Sequence, residues 1–275
     1  MTYLFLRLLP KNLLSRLIGY LSSLEIPSPL LNSVIQVYCR IYGVNLDEMK
    51  LPVSRMKSFN DFFTRELKPE VRKVDDTASS IVSPVDGTIA EFGAIKNNLL
   101  VQSKGILYSL VDLVGKKEAK DFENGYYLTI YLSPADYHRI HAPVAGRVKN
   151  FSYYSGNLWP VNRFGIENVG GLFSLNERIL TPIESDMGKV GVVKVGATIV
   201  GKISLDYDRL NTNSGKPTAL NLPVVPTKLY KKGDEIGLFQ LGSTVILLFE
   251  SGRFSQTNIY SGKTIKMGEA IGHFV

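Results

Sequence analysis

Leucines recur at helical spacing near the start of the chain. Leu13, Leu14, Leu17, Ile18, Leu21 and Leu24 share one side of a helical wheel, with Asn12, Ser15, Arg16, Gly19, Ser22 and Ser23 opposite. Pro27 and Pro29 break the pattern, and a second stripe follows: Leu30, Leu31, Val34, Ile35, Tyr38, Ile41 and Tyr42. Two amphipathic helices are expected. Arg7, Lys11, Arg16 and Glu25 interrupt the apolar run, which never approaches the ~20 residues of a spanning helix. A signal peptide would need an unbroken apolar centre and a small-residue cleavage site, and neither is clear. The stripes suit either the protein's own core or the surface of a membrane.

From about Ser58 the texture becomes that of strands punctuated by glycine, as in "YYLTIYLS" (126–133), "VGVVKVGATIVGKISL" (190–205) and "STVILLF" (243–249). Two echoes stand out. "SPVDGTI" (83–89) matches "APVAGRV" (142–148), and "KKGDEIGLF" (231–239) matches "KMGEAIGHF" (266–274). Short strands turned repeatedly at glycine predict an α+β chain: N-terminal amphipathic helices, then a mainly β, barrel-sandwich-like domain. Carrier domains share such echoes but present a lysine at a hairpin tip, and no Met-Lys-Met signature occurs here.

Composition narrows the partners. The chain has 275 residues, 44% hydrophobic and 21% charged, as a folded globular protein does. A single cysteine, Cys39, excludes an internal disulfide and fits a reducing, cytosol-facing location. A three-histidine metal site would need His138, His141 and His273 together, so no metal is expected. Net charge is +7, which suits an anionic partner. The basic residues are scattered rather than blocked, so nucleic acid is not expected. Residues 1–60 carry seven Lys/Arg against three Asp/Glu, over half of the surplus.

The chemistry concentrates in few places. "LSPADYHRIHAPVAG" sets His138 and His141 three apart just beyond an apolar strand. Asp86 precedes Gly87, an ordinary place for a turn carboxylate, but its segment echoes the one that follows His141. At the other end of the chain, Gly242-Ser243-Thr244 leads directly into the apolar run Val245–Phe249. Gly242 suits a bulge or turn, or else leaves its own carbonyl open to attack by Ser243. Ser243, His141 and Asp86 would be the parts of a nucleophile–base–orienter relay.

Five segments together, "LGST" (241–244), "PVDG" (84–87), "YHRIHAPVAG" (137–146), "NERI" (176–179) and "FNDFFTREL" (59–67), resemble the membrane-associated bacterial phosphatidylserine decarboxylases. The resemblance runs from about residue 58 to the end, with a similar helical leader before it. It implies a membrane-binding leader, 1–57, and a catalytic β-rich domain, 58–275. It also implies self-cleavage between Gly242 and Ser243 into a β chain, 1–242, and an α chain, 243–275. In that family the serine becomes a covalent pyruvoyl group, whose ketone forms a Schiff base with the headgroup amine of phosphatidylserine and takes up the electrons released with carbon dioxide. Asp86, His141 and Ser243 then belong to self-cleavage, His138 donates the proton in decarboxylation, and His273 is structural or exposed. The implied partners are phosphatidylserine, an anionic membrane surface on the cytoplasmic side of the cell membrane, and the two chains of one precursor, with room for a homodimer of that unit. "NLWPVN" (157–162) is expected in a lipid groove with Trp159 at the interface. A Ser-His-Asp hydrolase lacks its G-x-S-x-G elbow here. In a non-catalytic carrier module, LGST would be a mere turn.

Overall fold

The computed structural model describes residues 10–198, 202–210, 212–213, 218–240 and 243–275. Gly242, the expected cleavage partner of Ser243, and the first nine residues of the leader lie outside them. Among the described residues, three α-helices precede the sheets: α1 (Lys11–Ser22), α2 (Ser28–Tyr42) and α3 (Phe59–Phe63). Proline opens α2, and Gly43 ends it in the left-handed conformation. A reciprocal capping box starts α3: the Ser58 hydroxyl accepts from the Asp61 N–H while Asp61 accepts from the Ser58 N–H, both at 3.1 Å.

The strands are β1 (Ser80–Val82), β2 (Gly87–Ala94), β3 (Leu99–Ser103), β4 (Ile106–Ser109), β5 (Tyr126–Leu132), β6 (Arg139–His141), β7 (Gly146–Tyr154) and β8 (Arg178–Ser185). They continue with β9 (Gly188–Val195), β10 (Lys202–Leu205), β11 (Ala219–Tyr230), β12 (Glu235–Gln240), β13 (Ser243–Phe249), β14 (Phe254–Gln256), β15 (Thr264–Ile265) and β16 (Ala270–Phe274). One eight-stranded sheet runs β11-β7-β8-β9-β13-β5-β2-β15. Two three-stranded sheets, β1-β16-β14 and β10-β12-β6, and the β3-β4 hairpin complete the set. The result is a mixed, sandwich-like α+β fold in which no sheet closes into a barrel.

The two sequence echoes are one pseudo-twofold arrangement. Val82 N–H donates to the Pro143 carbonyl at 3.0 Å, and His141 N–H to the Pro84 carbonyl at 2.8 Å. Ser83 N–H reaches the Glu269 carbonyl as Ala142 N–H reaches that of Asp234, and Gly268 N–H reaches Ser83 as Gly233 N–H reaches Ala142. Gly87 and Gly146 open matching strands, and each lies where a Cβ would strike a carbonyl, Tyr131 at 2.5 Å or Glu184 at 2.6 Å. That close approach explains the glycine in both copies. The symmetry breaks at chemistry: Asp86 stands where the other copy has Ala145, and His141 where it has Val82.

The helical leader divides its faces unexpectedly. In α1 the polar side meets the protein: Lys11 and Ser15 are buried, Asn12 donates to the Gly156 carbonyl at 2.9 Å, and Arg16 reaches Asn213 at 3.3 Å. Leu13 (62% exposed), Leu14, Leu17 and Leu21 face outward. In α2 one flank, Leu31 and Ile35, is fully buried with Val44, Met49, Met56 and Phe62 in a small cluster, while Leu30, Val34, Val37 and Ile41 remain exposed. No helix among the described residues is long and apolar enough to cross a membrane. Trp159 departs from expectation: it is 7% exposed, and the Lys11 ammonium lies 3.9 Å from its ring centroid, so the leader covers it.

Candidate active site

Sheet register brings the sequence-selected residues to one end of the eight-stranded sheet. β13 is central and buried on both faces, which is why it reads as a nearly continuous apolar run. Its first residue, Ser243, pairs with Leu132 at the end of β5. Antiparallel pairing puts the start of β2 beside that end, with Thr88 opposite Tyr131, so Asp86 arrives there too. β6 carries His141 and is tied to Pro84 through the backbone. His273 belongs to another sheet, exposed, and pairs with Ser80 across the β1–β16 ladder.

Ser243 is 1% exposed, and its hydroxyl has no hydrogen-bond partner among the described residues. The same holds for Thr244. A buried hydroxyl without a partner is costly and rare in a settled interior, so it marks a group held for something else.

His138 is completely buried and stacks on Phe63 with ring centroids 4.1 Å apart. Neither ring nitrogen makes a hydrogen bond of good geometry among the described residues, although the Ser133 and Pro134 backbones lie close enough to act on it. Burial, with the Arg65 charge nearby, lowers its pKa to about 3, so the ring is neutral at physiological pH. Arg65, from the segment following α3, donates to the carbonyls of Ala135 at 3.0 Å and Asp136 at 3.3 Å, and so pins the loop that leads into His138.

His141 is held on both nitrogens. Nδ1 lies 2.8 Å from the Gly233 carbonyl, which only accepts, so that nitrogen carries the proton. Nε2, left with its lone pair, faces the Tyr137 hydroxyl at 3.1 Å. Burial lowers this imidazole below the usual range as well, which keeps Nε2 available as a base.

Asp86 is buried among cations. Arg72 grips both carboxylate oxygens, Lys266 stands 3.2 Å away, and the Met267 N–H donates at 2.8 Å. Burial pushes the carboxyl up, but the Arg72 and Met267 bonds outweigh it and the net shift is downward. Asp86 acts on both imidazoles through its charge. Asp86, His138, His141 and Ser243 share one end of the sheet, yet among the described residues no hydrogen bond joins Asp86, His141 and Ser243 into a relay. The Gly233 carbonyl orients His141, and Asp86 answers to Arg72.

Several partners escaped sequence reading. Tyr137 and Arg65 lie inside quoted segments, so position alone pointed at them, whereas Arg72 sits in a loop with no periodicity. Glu177, in "NERI", accepts from the Tyr153 hydroxyl at 2.5 Å and the Asn213 N–H at 2.6 Å, and burial raises its pKa. Thr244 pairs with Val195, and Val195 with Arg178, so Glu177 and Ser243 come one position further on, on the same sheet face. Asn176 beside it bridges Trp159 and Gly196 through their backbones.

Two buried, neutral imidazoles and a partnerless hydroxyl at one end of the sheet are groups suited to acid–base and nucleophilic catalysis, as an enzyme's site would need. The family model for phosphatidylserine decarboxylase matches residues 59–273. A phosphatidylserine decarboxylase proenzyme from Brevibacillus brevis is 40% identical, over 96% of this chain and 94% of its own. Those from Myxococcus xanthus (39%, over 97% and 96%) and an Anaeromyxobacter species (40%, over 97% and 96%) are similar at the same level. The chain belongs to the phosphatidylserine decarboxylase family.

Proposed function

We propose that this protein is made as a precursor, cuts itself before Ser243, and then decarboxylates phosphatidylserine to phosphatidylethanolamine. The observation that carries the reading is the buried, partnerless Ser243 hydroxyl at the head of a central strand, at the sheet end that also holds two neutral imidazoles. A serine there fits a pyruvoyl group, because a hydroxyl on the β-carbon can first take over the preceding acyl group and then leave with it.

In self-cleavage, His141 Nε2 receives the Ser243 hydroxyl proton, directly or through Tyr137, while the Gly233 carbonyl holds its tautomer. The Ser243 oxygen attacks the Gly242 carbonyl, and the C–N bond gives way to an ester. Loss of the α-proton expels the Gly242 carboxylate and leaves dehydroalanine, which water converts to a ketone and ammonia. The pyruvoyl group so formed would supply an electron sink that no encoded side chain offers. Asp86, clamped by Arg72, keeps a fixed negative charge near both histidines. His138, dry and neutral against Phe63, would deliver the proton to the reacting carbon.

The outward row of α1 supports attachment to a lipid surface: a helix that buries Lys11 and Ser15 and turns leucines outward has no aqueous reason to do so. Residues 1–57 then form the membrane-binding leader, on the cytoplasmic side of the cell membrane, and 58–275 the catalytic domain. Intact mass of denatured protein tests the core of this reading. Two chains, 1–242 and 243–275, are expected, the smaller lighter by one ammonia than its encoded mass, and Ser243→Ala should give one chain. A single intact chain from the unaltered sequence, silent in a carbon dioxide assay with phosphatidylserine, overturns it.

A further inference from the structure

We infer that the cleft between α1 and the β10–β12 ladder is the seat of the substrate's phosphodiester, with Arg16, Lys202 and Asn213 as its ligands. The inference rests on the proposed function and names a subsite for it. The cleft, about 340 Å³, is lined by Ser15, Arg16, Tyr20, Lys202, Asn213 and Gln240 among others; among the described lining residues two are cations and none is a carboxylate, with Glu177 behind them accepting from the Asn213 N–H at 2.6 Å. Asn213 is 7% exposed, and its Nδ2 has no hydrogen-bond partner among the described residues, although its Oδ1 accepts from Arg16. An amide N–H buried without an acceptor, beside two cations, is a place prepared for an anion.

Position selects which anion. The outer side of α1 is the leucine row, so a bilayer lies against that side, and the cleft lies on the inner side at the level of lipid headgroups. Lys202 pairs with Gln240, three residues before Ser243, a chain distance of at most ~10 Å. A lipid whose phosphate rests on Arg16 and Lys202 therefore has its acyl chains toward the leucines and its serine toward Ser243. Holding the phosphate rather than the carboxylate also leaves the departing group free of a stabilising cation, as decarboxylation requires.

The test uses the full-length, self-cleaved enzyme and dihexanoylphosphatidylserine below its micellar concentration, so that membrane attachment plays no part. Arg16→Gln/Lys202→Gln should raise KM about ten- to a hundredfold with kcat within about twofold, and Arg16→Lys should recover part of the loss. Calorimetry with dihexanoylphosphatidylglycerol, which has the diester but no amine, should show the same loss of affinity without any reaction. Inorganic phosphate should compete poorly in both proteins. An unchanged KM in the double variant, or loss confined to kcat, overturns the seat while leaving the function standing. Inorganic phosphate displacing the diester at equal concentration would make the cleft a free-phosphate site and equally overturn it. A chain that binds the diester through these residues yet never decarboxylates phosphatidylserine keeps the seat and overturns the function instead.

Discussion

Arg72 grips Asp86 with two nitrogens, Nε at 2.9 Å from one carboxylate oxygen and Nη2 at 2.5 Å from the other, and both side chains are almost wholly buried. Glu48 holds the same guanidinium at 2.7 Å from its outer side. A buried ion pair adds little net stability while intact, but losing one partner strands the other. Arg72→Leu should therefore cost about 3–5 kcal/mol, and Asp86→Asn less, because the amide is neutral. Urea unfolding in the uncut Ser243→Ala background measures both. The depressed Asp86 pKa contributes stability present above 3.8, the unfolded value, and lost as pH falls through the folded one. Arg72→Leu should lose that contribution, and equal midpoints for parent and Arg72→Leu would contradict the clamp.

The two histidines differ in surroundings and should differ in consequence. His141, hydrogen-bonded on both nitrogens, is the base proposed for cleavage, so His141→Ala should remain mostly one chain, as should Asp86→Asn. His138→Ala should still separate into two chains but decarboxylate about 10²–10⁴-fold more slowly. A denaturing gel and a carbon dioxide assay read the two steps separately. An uncut His138→Ala alongside a fully cut His141→Ala would reverse the assignment.

Much of this site was legible in the chain itself. The echo of "SPVDGTI" in "APVAGRV" singled out Asp86, and the two segments meet through matched backbone bonds. The run "STVILLF" announced a strand buried on both faces. Partners supplied by the backbone left no such trace: the Gly233 carbonyl that fixes His141 has no side chain to read. The orientation of α1 was illegible for another reason, since periodicity locates a stripe and not the side that touches protein. Trp159, expected at an interface, ended beneath Lys11 because that helix docked by its polar face.

Acid should weaken the fold through His138. Its folded pKa of about 3 lies well below the 6.5 of an unstrained histidine, so between those values the unfolded chain binds a proton that the folded chain refuses. Stability therefore falls as pH drops from about 6.5 toward 3. His138→Leu, which keeps an apolar neighbour for Phe63, should flatten that slope relative to the Ser243→Ala parent. Urea midpoints at several pH values across the window give the comparison, and identical slopes in the two proteins would rule out a buried neutral ring.

Lys194 should act in the opposite window. Its ammonium is fully buried near the end of β9, with the hydroxyls of Thr181 and Tyr207 as hydrogen-bond partners. Burial lowers its pKa to about 7 from 10.5. From about pH 7 to about 10 the unfolded chain holds a proton that the folded chain lacks, so this lysine makes stability rise with pH. Below that range the fold carries a buried charge at full cost. Lys194→Met has similar length and no charge, and Thr181 and Tyr207 remain bonded to each other. The variant should be more stable than its parent near neutral pH, with the difference shrinking toward pH 10. Paired denaturation curves along that pH series decide it: a difference that does not change with pH would mean that Lys194 stays charged in the fold.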